Sequence, residues 1–369
     1  MSPDGATRVL FTADAVGGVW QYSLDLARGF AARGMAPLLA VLGPPPSPSQ
    51  RAAAGAITGL RLLVTGLPLD WTADCASDVR GAADALAALA SREGVQSAHL
   101  HAPALAAAAW PVPVVAVAHS CVATWWRAVR GGPLPPDFRW RRDFSAEGLR
   151  AADAVIAATR SFADALLAEY GGALSIHVVH NGRADPDVAA QPRERAVLTA
   201  GRLWDAGKNV AVLDAAAGRL DAPVHAAGPL AFAGERIAFR HLHHLGVLNE
   251  DALRRRMAAT AVFASPARYE PFGLAVLEAA QCGAGLVLSD IPSFRELWDG
   301  AARFVPADDA DALAAALREA LDRPADCAAW ARARAARYRL EAMVQGTLAV
   351  HRAVGTKRPR AALELSAGS

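Results

Sequence analysis

The chain has 369 residues, of which 53% are hydrophobic and 20% charged, so it has ample apolar material for packed cores and is not a disordered chain. Its formal net charge of +2 provides no concentrated basic face, which argues against a general nucleic-acid binder. The four cysteines form no C-x-x-C pair, so neither a zinc site nor a disulfide framework is indicated, and a reducing compartment fits.

The N-terminal part of the chain alternates between strand and helix patterns. Residues 9–12 predict a strand, which is followed by Asp14, by Gly17-Gly18 and by a helix pattern. Repeated units of this kind indicate a parallel, doubly wound sheet whose sites lie at the carboxyl ends of the strands. The further elements that we expect are strands at 38–42, 60–64, 98–101, 114–118 and 154–157, and helices at 19–33, 78–92 and 161–170.

Two features bear on where the protein is located. The first eight residues lack the apolar core of a signal peptide, so we expect a cytoplasmic protein, either free or at the inner face of the membrane. The stretch between Glu93 and Arg127 has no Asp, Glu, Lys or Arg and superficially suggests a membrane span. Three prolines and three histidines interrupt it, so we interpret it as short buried strands and a helix.

A domain boundary is expected near Asn181-Gly182, where a strand ends in a turn and the polar run 184–194 begins. A second strand–helix pattern follows, and two domains agree with the roughly 250–300 residues at which a single core stops growing. It predicts strands at 196–200, 224–227, 237–239, 261–264, 285–289 and 303–305, and helices at 208–219, 308–321 and 324–339. We therefore divide the chain into domains at 1–183 and 184–335, a helix at 336–355 that packs back on the N-terminal domain, and a flexible tail at 356–369.

The nine residues from Glu270 to Glu278, with the sequence EPFGLAVLE, combine two carboxylates with a helix start. Glu270 precedes a proline, which disfavours the helical region and places this residue in a loop. The turn at Phe272, Gly273 and Leu274 should leave backbone N–H groups pointing out of the helix, where an anion is favoured. Carboxylates accept hydrogen bonds from sugar hydroxyls, so the stretch suits a diphosphate joined to sugars. By composition alone, two such glutamates are more often structural.

This string resembles the E-x7-E signature of the family 4 glycosyltransferases, which are retaining enzymes of the GT-B fold. The resemblance implies an α/β protein with two doubly wound, Rossmann-like domains that face each other across a cleft. It also implies transfer of a sugar from a UDP- or GDP-sugar to an acceptor hydroxyl, in assembly of cell-surface polysaccharide or glycoconjugates. We expect no cofactor besides the nucleotide-sugar co-substrate. We expect no metal either, because no Asp-x-Asp follows a strand in a suitable place.

Three other segments match the same family. Arg202 and Lys208 resemble its G-R-x(n)-K segment, which implies that they bind the diphosphate; alone they would be a solvated surface pair. His119 follows an apolar strand, as does the family's active-site histidine, although a lone histidine is more often structural. Gly17-Gly18 resembles the family's glycine loop, although a tight turn alone would also explain the two glycines. The pair is not part of a G-x-G-x-x-G motif, which is typical of dinucleotide-binding proteins. The resemblance thus implies catalytic roles for His119, Glu270, Arg202 and Lys208, and donor binding by Gly17, Gly18, Phe272, Gly273, Leu274 and Glu278.

Other features stay open at this level. No acidic residue in the motifs of the first domain stands out as a nucleophile, so we favour a front-face mechanism in which the leaving phosphate takes the acceptor's proton. The basic, aromatic runs 125–127 and 138–142 suit weak binding to an anionic membrane or an ordinary acceptor-side loop. The resemblance implies an acceptor that is a carbohydrate, a lipid-linked molecule or another small molecule. A non-catalytic sugar- or nucleotide-binding protein and a GT-B epimerase or phosphorylase remain the alternatives.

Overall fold

A seven-stranded parallel sheet forms the N-terminal part of the computed structural model, which describes residues 6–172, 174–188, 192–232 and 234–355. Its strands are β1 (Arg8–Asp14), β2 (Ala36–Leu42), β3 (Arg61–Val64), β4 (Ser97–Leu100), β5 (Val114–Ala118), β6 (Ala154–Ala157) and β7 (Ile176–Val178). They lie in the order β3-β2-β1-β4-β5-β6-β7, with every neighbouring pair parallel. The chain reverses its direction of travel across the sheet between β1 and β4, so a crevice opens at their carboxyl ends.

A second parallel sheet follows, built from β8 (Glu194–Ala200), β9 (Val224–Ala227), β12 (His243–His244), β13 (Thr260–Ser265), β14 (Gly285–Ser289) and β15 (Arg303–Val305). Its order is β12-β9-β8-β13-β14-β15, and the direction of travel reverses between β8 and β13. A small antiparallel hairpin, β10 (Ala231–Phe232) and β11 (Glu235–Arg236), extends from the loop after β9. The expected pair of doubly wound sheets is confirmed.

Helices cover the faces of both sheets. They are α1 (Gly18–Ala31), α2 (Pro48–Gly55), α3 (Ala76–Arg92), α4 (Val122–Val129), α5 (Pro136–Ala151), α6 (Arg160–Tyr170), α7 (Val210–Ala217), α8 (Glu250–Ala259), α9 (Leu274–Gln281), α10 (Pro292–Trp298), α11 (Ala310–Asp322), α12 (Pro324–Ala335) and α13 (Leu340–Gly355). Because apolar cores lie on both sides of each sheet, β5, β6 and β14 are buried along their whole lengths. The stretch between Glu93 and Arg127 forms β4, β5, α4 and a short 3-10 helix, as expected.

Two expected elements are wrong. Residues 237–239 are not a strand, because β12 already occupies the edge of the sheet beside β9 and the Ile237 amide instead bonds to the carbonyl of Leu230. The helix expected at 208–219 begins only at Val210. Asn209 adopts a left-handed backbone (φ 54°), which ends a short 3-10 turn before the α-helix starts. The expected tail at 356–369 lies outside the described residues.

The last helix, α13, packs on the first domain rather than on the second. Val344 of α13 lies so close to α1 that a Cβ on Gly29 would meet its methyl carbon at 2.3 Å. Met343, Val344 and Leu348 belong to the same buried cluster as Phe11 of β1. The chain therefore passes between the domains twice, and Gly182 and Arg339 meet where the passages cross.

A column of four imidazoles runs through the first domain beneath α13, with His99 and His101 buried and His119 and His351 partly buried. His351 Nδ1 lies 2.7 Å from Ser97 Oγ, and His351 Nε2 lies 3.1 Å from His99 Nδ1. His101 Nδ1 lies 2.8 Å from His119 Nε2. Burial lowers the pKa of both His119 and His351 to about 4, and those of His99 and His101 fall well below their ordinary value. The column is therefore uncharged at neutral pH.

We expect His351→Gln to weaken the pH dependence of stability. A histidine whose folded pKa is lowered binds fewer protons folded than unfolded, so its contribution is lost as pH falls from 6.5 towards 4, by about 1.4 kcal/mol per pH unit. Urea denaturation at pH 7, 6 and 5 should give a shallower decline for the variant than for the wild type. The exposed His241, changed to Gln, is the control. Parallel declines of wild type and His351→Gln would contradict this account.

Candidate active site

A cleft of about 1370 Å³ separates the carboxyl ends of the two sheets. The loops after β1, β4 and β5 form one wall, and those after β8 and β13 form the other. The candidate residues that line it are Gly17, Gly18, His119, Arg202, Lys208, Glu270, Phe272, Gly273, Leu274 and Glu278. The structure thus brings together all ten residues named from the sequence, although their proposed roles remain predictions.

The loop after β13 is held in place before α9 begins. Gly273 is the N-cap of α9 with φ 90°, a left-handed conformation that favours glycine. A Cβ there would lie 3.1 Å from the ring of Phe294. Ser293 donates to the carbonyl of Glu270 at 2.5 Å, and the amide of Arg268 donates to the carbonyl of Gly207 at 2.9 Å. The amides of the first turn of α9 therefore face the cleft from a fixed position.

The side chain of Phe272 does not face the ligand space as a donor-binding group. It is 3% exposed and packs at 5.8 Å from the ring of Tyr338, so only its backbone can contribute. Opposite this turn, the glycine loop approaches closely, since a Cβ on Gly18 would lie 3.3 Å from Leu274 Cδ1. Gly17 caps α1 with φ 89°, which explains the glycine whether or not a phosphate binds there.

The cations assigned to the diphosphate are both paired in this structure. The ammonium of Lys208 binds the carboxylate of Glu270, and both side chains are largely buried. Arg202 Nη2 lies 3.0 Å from Asp205 Oδ2, and Asp205 Oδ1 accepts from Trp125 of the other domain at 3.1 Å. A diphosphate and sugar that bind here would therefore have to replace the carboxylates that Lys208 and Arg202 now bind.

Glu278 pairs with Arg183, a residue that the sequence reasoning missed. Arg183 Nε lies 2.8 Å from Glu278 Oε1, and Arg183 also binds Asp25 of α1 and, at 2.7 Å, Glu250 of α8. The Arg183 side chain is only 2% exposed. Burial, opposed by Arg183, raises the pKa of Glu278 above its ordinary value. Arg183 was missed because its three partners lie far from it in the chain and no local sequence pattern marks it.

His119 is a neutral hydrogen-bonding group. Burial lowers its pKa to about 4, so the ring is uncharged at pH 7. Nε2 is engaged by His101, and the edge of Tyr22 packs at 4.8 Å from the ring centre. Because a neutral imidazole donates from one nitrogen and accepts at the other, His119 can orient a hydroxyl but cannot neutralise a phosphate.

Polar bonds join the domains beside the site. The Tyr269 hydroxyl accepts from the amide of Cys121 at 3.0 Å and lies 2.9 Å from Thr124 Oγ1. Thr159 donates to the carbonyl of Pro271 at 3.0 Å. These bonds hold the loop of Glu270 against the first domain. They were missed because no local sequence pattern marks contacts between residues more than 100 positions apart.

The first domain also places two carboxyl groups on the cleft, outside the motifs in which no nucleophile was expected. Asp14 ends β1, and Asp70 lies in the loop after β3. Burial and then the neighbouring Asp70 carboxylate raise the pKa of Asp14 to about 6. They were missed because 56 positions separate them (70 minus 14) and neither belongs to a motif.

The basic, aromatic runs are not an ordinary loop. They lie in α4 and α5, and several of their arginines are engaged. Arg127 and Arg142 both bind Glu169, and Arg141 donates to the carbonyl of Ala73 at 2.6 Å. Much of the positive charge of α4 and α5 is therefore already bound by groups of the protein itself. Across the described part of the chain, the helices are all too short or too polar to cross a bilayer.

The family model of Glycosyltransferase Family 4 matches residues 16–184, and that of Glycosyl transferases group 1 matches residues 194–323. The chain belongs to the family 4 glycosyltransferases. It is 36% identical over 149 residues to the phosphatidyl-myo-inositol mannosyltransferase of Mycolicibacterium smegmatis. That match covers 36% of this chain and 38% of the relative, so the chain spans well under half of that protein's length.

Solved structures confirm the GT-B fold expected of this family. The chain is similar to the sucrose-phosphate synthase of Thermosynechococcus elongatus, with a TM-score of 0.75, 17% identity, and coverage of 94% of this chain and 98% of that one. It is also similar to Anabaena HepE in complex with UDP and glucose, with a TM-score of 0.71, 17% identity, and coverage of 94% and 100%.

We expect Arg183→Met to be strongly destabilising, because it leaves buried carboxylates without their cation. The free energy of unfolding should fall by about 3–5 kcal/mol. Arg195 is the matched control, since it also pairs with two carboxylates, Asp221 and Asp322, but is exposed. Urea denaturation of Arg183→Met and Arg195→Met should show a large loss only in the first. Equal losses would mean that burial of the cluster contributes nothing.

Proposed function

We propose that the chain transfers a sugar from a UDP- or GDP-sugar to an acceptor hydroxyl, with retention at the anomeric carbon. The observation that carries this proposal is the convergence of the first turn of α9, Lys208, Arg202 and the carboxylates of Glu270 and Glu278 on one wall of the cleft. This wall offers amides and cations for a diphosphate and carboxylates for sugar and ribose hydroxyls. HepE, which has the same fold, binds UDP and glucose.

In this proposal the donor diphosphate lies on the amides of α9. Lys208 and Arg202 exchange Glu270 and Asp205 for phosphate oxygens, and Glu270 then accepts from hydroxyls of the sugar. Glu278 binds the ribose, while neutral His119 orients the transferred sugar. The cations stabilise charge that develops on the leaving phosphate, so the chemistry needs no metal.

The transfer step follows the front face of the sugar. The acceptor oxygen forms its bond to the anomeric carbon on the side from which the diphosphate leaves, and the carbon–oxygen bond to phosphate breaks. The acceptor's proton passes to the leaving phosphate oxygen. The carboxylates of Asp14 and Asp70 come from the opposite wall, where the acceptor would enter, and closure between the domains would exclude water.

The relative from Mycolicibacterium, whose name gives a phosphatidyl-inositol acceptor, supports a role in assembly of cell-surface glycoconjugates or polysaccharide. We propose that the enzyme works in the cytoplasm, where nucleotide sugars are the donors. Weak contact with the inner face of the membrane, through α4 and α5, belongs to the same proposal.

We expect Lys208→Ala and Glu270→Gln to abolish slow hydrolysis of the donor. The assay is release of nucleoside diphosphate from a panel of UDP- and GDP-sugars, with chelator present. Loss of the Lys208 charge should lower the rate by about 10²–10³-fold, since it acts where charge develops. Glu270→Gln should lose turnover while donor binding falls much less.

The matched control is Glu319→Gln, since Glu319 is also ion-paired, to Arg303 at 2.6 Å, but lies on α11 away from the cleft. It should keep the wild-type rate. If no donor is hydrolysed and no UDP or GDP stabilises the protein against heat, the proposal fails. Hydrolysis that requires added metal would refute the metal-independent mechanism alone.

A further inference from the structure

We propose that the acceptor wall of the cleft selects an uncharged or amine-bearing polyol and rejects an acceptor that carries a phosphate or carboxylate at this wall. The inference rests on the proposed function, because it names the acceptor class for the same cleft. The observations behind it are the charged groups on the first-domain wall and the hydrogen bonds and ion pairs that each of them makes.

Two carboxylates from different loops form the acidic part of this wall. Asp14 Oδ1 accepts from the amide of Val16 at 2.8 Å, and the carboxylate also accepts from the indole of Trp71. Asp70 is held by backbone amides of its own turn. These bonds fix the two carboxyl groups in place. Burial raises the pKa of Asp70 as well as that of Asp14, and in the ionised form each group can only accept from a ligand.

The cations near this wall are already in contact with other groups. Among the strands and helices of the first domain, Arg141 is the arginine at the described cleft lining. It faces Asp70, donates from Nη2 to the carbonyl of Ala73 and stacks at 4.4 Å over Trp140, while its Nε has no hydrogen-bond partner among the described residues. Arg183 in the linker holds three carboxylates. Arg202, which faces Asp14, belongs to the donor wall and is paired with Asp205.

The histidines of this wall supply no charge either. His101 and His119 both line the cleft, and burial keeps their pKa values below neutrality. An anionic group placed here would therefore meet the carboxyl groups of Asp14 and Asp70, and it would have to compete with Asp70 for the charge of Arg141. Like charges brought together in a partly buried site are repelled more strongly than in water.

The same wall has groups that suit a polyol. His101 is 9% exposed and lines the cleft, and its Nε2 has no hydrogen-bond partner among the described residues. A buried polar atom without a partner is costly, so a ligand hydroxyl that bonds to it would be favoured. Trp71 and Trp140 add aromatic surface, on which the apolar face of a sugar ring or an ammonium group can pack.

The test compares acceptors that differ only in charge. Glucose, glucosamine and glucose 6-phosphate form one set, and myo-inositol, an aminocyclitol and myo-inositol phosphate form a second. Binding to the full chain is measured by saturation-transfer NMR with UDP or GDP present, and turnover by stimulated release of nucleoside diphosphate. We expect the neutral and amine members to bind and stimulate, and the phosphorylated members to do neither.

Variants test whether the aspartates cause this selectivity. Asp70→Asn and Asp14→Asn should each lower the preference for amine over neutral acceptor by roughly tenfold, the worth of one charge-assisted hydrogen bond. Because the ratio compares two acceptors in the same variant, a change in donor binding affects both and cancels. Asp74→Asn is the control, because Asp74 is exposed in the same loop and is not among the residues lining the cleft.

Each outcome decides the inference. Binding of the phosphorylated members as tight as that of the neutral ones, or tighter, would overturn it. No binding by any neutral or amine member, or an unchanged ratio in both aspartate variants, would overturn it too. Because binding is measured without turnover, these results stand even if no donor is hydrolysed. Absence of hydrolysis with every donor counts instead against the proposed function.

Discussion

The ion cluster around Arg183 is the interaction on which the relation between the two domains depends. One buried guanidinium binds carboxylates from α1 of the first domain and from α8 and α9 of the second. Removing either side of such a buried arrangement costs far more than breaking an exposed pair. The backbone around Arg183 is fixed too, because it bonds to Tyr338 and Leu340 where the chain crosses between the domains. The position of Glu278 on the cleft therefore follows from the linker.

The contacts across the cleft differ from this cluster in kind. Tyr269 joins the walls through two hydrogen bonds, and Trp125 and Thr159 through one each. The groups involved are hydroxyls, an indole, backbone groups and one carboxylate, and none of these bonds pairs two charges. Water can replace such bonds at small cost once the surfaces part. The buried charges at Arg183 cannot be solvated so easily. Opening of the cleft should therefore pivot near Arg183, while the loops after β5, β8 and β13 separate to admit donor and acceptor.

The sequence predicted those strands and motifs whose physical signal is local in the chain. Strands such as β5 and β14 are buried on both faces, so they read as unbroken apolar runs. Residues 237–239 give a similar run, but they pack beside the second core as a loop, and apolarity alone does not distinguish the two. The motifs located one wall of the cleft, because a helix start and its flanking residues are local in the sequence. The bond from Lys208 to Glu270 and the meeting of Asp14 with Asp70 are long-range, and no local pattern encodes them.

Lys208 stands out against the composition of the chain. Of the 38 basic residues, only Lys208 and Lys357 are lysines. An ammonium is a compact charge that can turn from a carboxylate to a phosphate without reorienting a planar fork. Arg202, in contrast, lies beside Asp205 and stacks at 5.7 Å over Trp204. The two cations of this wall are therefore not equivalent. In the proposed mechanism both exchange a carboxylate for phosphate, but only the exchange at Lys208 would release Glu270 to the sugar as the donor binds.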